Sequence, residues 1–201
     1  DCARCGRWLD QRWAQGGRGL PEAGSVSIRG AEQIGPGEPM VTARLSQAPL
    51  LRGDTAEALV RVNELLGRDP LSLLGHSQRL EWYNATGGHC GNALQEVRSV
   101  EHSANPLLRA LVVYALARCG MRGRAAKLAD SLTRPASHSG GVERAVAFAG
   151  LGDSVRVFAA LDAAIAAHSP ALFFLPHYFA FARYHGTKAF DDVLARAHVK
   201  S

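Results

Sequence analysis

Five glycines recur along this chain at nearly constant intervals: Gly53, Gly87, Gly120, Gly152 and Gly186, separated by 34, 33, 32 and 34 residues. A repeat of that length is the mark of one helical supersecondary unit copied along a chain, and it constrains the fold more than any single motif does. The physical reason lies in how helices stop. A helix usually ends on a left-handed residue, a conformation that glycine alone adopts without a steric penalty. Each glycine is therefore expected to end the first helix of a pair and open a tight turn into the second. Five positions further on the residue is again similar from copy to copy, small or compact and apolar: Ala58, Ala125 and Val157 stand there, and Ala93 does so after one inserted residue at Gly87-Gly88. The last copy has Asp191 at that offset, which marks a degenerate or capping helix.

A second set of marks falls half a repeat away. Asp69-Pro70, Asn105-Pro106 and Ser169-Pro170 each combine an N-cap residue with proline at the first helical position, where the missing N–H costs nothing. Asp54 with Glu57, and Asp153, open second helices in the same manner. The pattern predicts helices at 40–51, 54–67, 70–85, 90–102, 106–119, 122–133, 140–150, 153–168, 170–184 and 187–198, making five antiparallel pairs. Pro49 and Pro176 fall inside them, so a kink or an early break is expected at each. Val157, Leu161 and Ala164 form one apolar stripe, and Phe173, Phe174 and Phe181 another; such stripes read as core. Isoleucine is scarce and period-two alternation is weak, which argues against sheet. The fold class that follows is all-α, a stack of helix pairs over residues 38–201 behind an irregular extension over 1–37.

The residues that carry the repeat also resemble a known family. Gly53-Asp54-Thr55-Ala56-Glu57-Ala58-Leu59 through Asp69-Pro70-Leu71-Ser72, and Ala115-Leu116-Ala117-Arg118-Cys119-Gly120, look like tetratricopeptide repeats. Gly150-Leu151-Gly152-Asp153, Phe158-Ala159-Ala160-Leu161, Ser169-Pro170, Pro176-His177-Tyr178 and Phe190-Asp191-Asp192-Val193-Leu194-Ala195-Arg196 are similar to the closing repeats of bacterial multi-domain regulators. The resemblance implies a right-handed α-solenoid with a concave face that binds a protein or peptide, no chemistry of its own and no cofactor. It further implies that the concave lining comes from the first helix of each pair, which designates Arg79, Trp82, Tyr83, Arg109, Tyr114 and Tyr178. The repeat-opening aromatic is mostly missing and no output domain is present. A scaffold or adaptor subunit of a larger bacterial assembly is the first functional expectation, and a regulatory array detached from a multi-domain regulator is the second.

Residues 1–37 do not follow the repeat. Arg7 to Gln15 reads as a short helix with Leu9 and Trp13 on one face, followed by a Gly-rich loop containing Pro21 and Pro36. Trp8 and Trp13 suit either a docking role or a cover over the open end of the first repeat. The chain starts at Asp1 without an initiator Met, which favours an extracytoplasmic (periplasmic) or membrane-peripheral setting.

Chemistry-bearing residues give weak signals. Cys2-Ala3-Arg4-Cys5 has the spacing of half a zinc site, but neither a second such pair nor a close His pair follows. His89-Cys90 suggests an activated nucleophile, yet neighbours in sequence seldom face each other and no third group orients the base. Cys90 follows one turn and Cys119 precedes the next, so their proximity is plausible. The eight histidines are dispersed, and Gly16-Gly17-Arg18-Gly19 matches no phosphate loop, so no catalytic, metal or small-molecule site is expected. Within a net charge of +5, the one basic run is Arg118, Arg122, Arg124 and Lys127, beside a turn. It suits an acidic protein surface or anionic headgroups, and without interleaved aromatics it does not suit nucleic acid.

Overall fold

The structure is a computed structural model that describes residues 39–134 and 140–199. Trp8, Trp13, Cys2, Cys5 and the helix expected at Arg7 to Gln15 lie outside the described residues. Every regular element among the described residues is helical: α1 (Pro39–Leu51), α2 (Thr55–Arg68), α3 (Leu73–Thr86), α4 (Cys90–Val100), α5 (Pro106–Arg118), α6 (Arg122–Leu132), α7 (Gly141–Leu151), α8 (Ser154–Ala166) and α9 (Lys188–Arg196). Two short 3₁₀ segments, Pro170–Phe174 and Phe179–Tyr184, lie between α8 and α9. The five recurring glycines all take positive φ, from 70° to 84°, each at the turn where its helix ends. The compact residues beyond them are buried, with Ala58, Ala93, Ala125 and Val157 at most 4% exposed. The chain forms two compact units, one ending at Trp82 and the other starting at Tyr83, inside α3.

In the first unit α1 packs on α2. Ala58, Val62, Leu65 and Leu66 supply the buried stripe of α2. Asp54 caps that helix, its side chain accepting from the Glu57 N–H at 3.0 Å. Glu57 does not return the bond expected of a capping box; its carboxylate pairs with Arg52 at 3.2 Å instead. Of the kink or early break expected at Pro49, the break does not occur, for α1 runs through it to Leu51. Asp69-Pro70 does not start α3 either. Asp69 Oδ1 accepts from the Leu71 N–H at 3.0 Å and forms a turn, and Ser72 then caps the helix by accepting from the Gly75 N–H at 3.2 Å. Trp82 Nε1–H donates to the Thr55 carbonyl at 2.7 Å, fixing α3 to the start of α2.

In the second unit α5 contacts α4, α6 and α7, while α7 contacts α6, α8 and the second 3₁₀ segment. Both central helices are apolar on nearly all sides, as a helix surrounded by others must be. Ala110 through Ala117 of α5 are buried without interruption, and so are Ala145 through Leu151 of α7. Asn105 opens α5 as its sequence predicts, accepting from the N–H groups of Leu107 and Leu108. Where the sequence suggested one helix over 170–184 there are two 3₁₀ pieces. Pro176 has no N–H for the carbonyl four residues back, and His177 bonds Phe174 across a tighter turn at 3.1 Å.

Close approach in this unit depends on glycines inside helices. A Cβ at Gly150 would stand 2.5 Å from the Tyr114 Cα, and one at Gly141 would stand 2.4 Å from the Ala160 carbonyl oxygen. Backbone cannot yield as a flexible side chain can, so Gly150→Ala should destabilise the protein by about 1–3 kcal/mol through overpacking. Gly67 in α2 has open space around it. There the same substitution should stabilise by about 0.5–1 kcal/mol, since alanine is the better helix former. Urea denaturation of the two variants should therefore give opposite signs.

Candidate functional site

The residues designated for a concave lining divide between the units and are largely occupied by the fold. Arg79 and Trp82 belong to the first unit, and Trp82 is committed to Thr55. Among the rest, Tyr83 is half-buried, and Arg109 donates from its guanidinium to Ser131 Oγ at 2.6 Å. Tyr114 and Tyr178 are each only 6% exposed, so their rings are core and present little to a partner. Tyr114 meets Phe179 edge-on at 5.1 Å, and burial pushes its hydroxyl above the ordinary tyrosine range against the opposing pull of Arg118. Tyr178 lies against Phe179 at 4.7 Å.

The basic run is likewise divided. Arg122 donates to the Leu151 carbonyl at 2.7 Å, Arg124 pairs with Glu101, and the Arg118 guanidinium lies 5.9 Å from the Tyr114 ring centre. Lys127 is exposed. A cation the sequence reading passed over, Arg156, holds three helices together. Its guanidinium reaches Asp153 at 2.6 Å and Asp130 of α6 at 3.2 Å, and lies 4.6 Å from the centre of the Phe148 ring of α7.

Asp153 is the cap of α8 and the partner of that arginine. Its carboxyl is held below the ordinary carboxylate value, first by the backbone N–H of Arg156 and then by the Arg156 side chain. A depressed value of this kind adds stability above the unfolded pKa and loses it as pH falls through the folded one. Asp153→Ala should therefore lower stability at neutral pH by about 1 kcal/mol, the worth of an N-cap. The deficit relative to the parent should shrink in thermal melts carried below the carboxylate range.

The feature that sequence reading left open is covalent. Cys90, the first residue of α4, and Cys119, the C-cap of α5, form a disulfide across 29 residues with their Cα atoms 5.3 Å apart. The turn at Gly87 and Gly88 leads into the first, and Gly120 follows the second. Around the disulfide opens a cleft of about 70 Å³ walled by Tyr83, Asn84, His89 and Arg118. His89 and Cys90 are exposed and Cys119 is half-exposed. The His89 ring stands 5.7 Å from Tyr83, and the Arg118 carbonyl oxygen lies 4.0 Å from Cys90 Sγ. His89 and Cys90 thus share a cleft, but the sulfur is bonded to Cys119 and is no free nucleophile.

Two wider grooves also open on the described residues of this unit. One of about 780 Å³ lies beside the starts of α6 and α8, lined by Arg122, Ala126, Leu151 and Val155, with Val155 82% exposed. The other, about 470 Å³, lies between α8 and α9 and is lined by Phe158, Asp162 and Arg196. Among the described residues no three His, Cys, Asp or Glu side chains gather as metal ligands, and no helix is long and apolar enough to cross a membrane. Comparison with protein-family models, with curated proteins and with solved structures gave no match.

Proposed function

We propose that this chain is a non-enzymatic scaffold of the tetratricopeptide kind, which holds a protein partner as one subunit of a larger assembly. The observation that carries the reading is the set of five left-handed glycines at a near-constant interval, each closing a helix before the next begins. Packing between neighbouring helices in the second unit supports the reading. In the second unit α5 meets its own partner α6 and also α7, and α7 meets α6 and its own partner α8. Repeated pairs of this sort bury their apolar faces against neighbours and leave the outer surfaces for recognition. A right-handed sense of stacking within each unit belongs to the same proposal and is carried by the family resemblance.

The disulfide bears on where such a scaffold works, because cross-links persist in oxidising compartments. That favours an extracytoplasmic setting. Gentle purification of the full chain from its host, with identification of what travels with it, tests the reading. One protein partner in fixed stoichiometry is the expected result. A chain recovered alone at native abundance, or one that turns over a substrate in the same preparation, would overturn it.

A further inference from the structure

We infer that the Cys90–Cys119 disulfide is an exchangeable redox clamp, opened by an external dithiol and polarised so that Cys90 leaves as the thiolate. The inference stands independently of the scaffold reading. Access comes first, because exchange requires a thiolate to reach a sulfur. Cys90 is exposed, Cys119 is half-exposed, and both border an open cleft.

Polarity comes second, and it follows from which helix end each cysteine occupies. Cys90 is the first residue of α4, and His89 before it makes no side-chain cap bond. The free N–H groups of that first turn favour an anionic sulfur. Arg118, exposed in the same cleft, adds a positive charge to the surroundings. Cys119 is the C-cap of α5, where the carbonyl end of the helix disfavours an anion. The Arg118 carbonyl oxygen, 4.0 Å from Cys90 Sγ, is too distant to oppose this more than weakly. Cys90 is the better leaving group, so attack falls on Cys119.

The exchange balances as follows. A thiolate of the dithiol forms a bond to Cys119 Sγ, the Cys90–Cys119 bond breaks, and its electron pair stays on Cys90 Sγ. The second thiol of the reagent loses its proton to solvent and attacks its own sulfur in the mixed disulfide. Cys119 leaves as a thiolate and takes up a proton, and the reagent departs as a cyclic disulfide. Two electrons have passed to the protein. Opening the clamp need not unfold the unit, because Ala93, Val97 and Val100 bury the face of α4 and Asn84 Nδ2–H still donates to the Leu111 carbonyl at 3.0 Å.

The test uses the full chain, oxidised in air and then treated with dithiothreitol without denaturant at neutral pH. Samples are alkylated and mapped by peptide mass, which separates Cys90 and Cys119 from Cys2 and Cys5. The expected result is full reduction on the timescale of an unfolded disulfide peptide, with helical circular dichroism retained. In the reduced folded protein, iodoacetamide should modify Cys90 about three-fold faster than Cys119, because a larger thiolate fraction is partly offset by the lower nucleophilicity of the more stable thiolate. Arg118→Ala should narrow that ratio while leaving the spectrum unchanged. Reduction only in denaturant, loss of helicity on reduction, faster labelling of Cys119, or failure of the two cysteines to link in air would each overturn the clamp.

Discussion

Phe181→Ala should lower the free energy of unfolding by about 3–5 kcal/mol, the usual range for deleting a fully buried ring. Phe181 is completely enclosed, with its ring stacked on Phe190 at 6.1 Å and tilted against Tyr178 at 6.3 Å. It belongs to the second 3₁₀ segment, which packs on α7. Hydrogen bonds of that helix type are poorer than those of an α-helix, so this stretch depends on side-chain burial. Phe190 and Tyr178, both buried themselves, would line the resulting void. Urea denaturation should show the midpoint falling with an unchanged slope. Val155→Ala on the exposed start of α8 should stay within about 0.5 kcal/mol of the parent. A Phe181→Ala protein as stable as the parent would mean that the ring is not enclosed.

Replacing both Cys90 and Cys119 by serine should destabilise the protein by about 3–4 kcal/mol, the chain-entropy value for a loop of this length. The two residues are 29 apart, and the segment they enclose includes all of α4 and α5 up to its C-cap. Without the link the unfolded chain regains the freedom of that whole loop, while the packed state loses little. Parent protein denatured in the presence of reductant should match the double variant, and oxidised parent should unfold at higher urea. Equal midpoints for oxidised and reduced parent would show that the cross-link constrains nothing.

Much of the fold was legible because helix ends are local chemistry. Each left-handed glycine, the Asn105 cap with Pro106, and the caps of Asp54 and Asp153 depend on a few adjacent residues, and all stand where the sequence put them. The misreadings have a common cause, which is that two local solutions compete at one place. Asp69 was free to cap a helix or to close a turn, and with Ser72 available as a cap it closed the turn. Ser169-Pro170 opens a helical segment, but that segment is 3₁₀ from its start and ends at Phe174, and Pro176 withdraws a hydrogen bond that a continuous helix would need.

The site was less legible because it depends on which surface each helix turns outward. Tyr114 and Tyr178 are aromatic at suitable positions, but α5 is enclosed on almost every side and leaves no face from which Tyr114 could project. The disulfide was within reach of the spacing argument. Its cysteines flank two successive glycine turns, at Gly87-Gly88 and Gly120, and the disulfide shows that those turns lie side by side.

The apolar circumference of α5 also sets a problem of timing. A ribosome adding about 5–20 residues each second releases α5 before α7 exists, so for a few seconds the growing polypeptide carries a helix with no cover on that side. Synthesis halted between these two helices would leave a sticky, ungathered intermediate and not a stable half-protein. Whatever chaperone receives the growing chain meets that exposed rod before α7 can cover it.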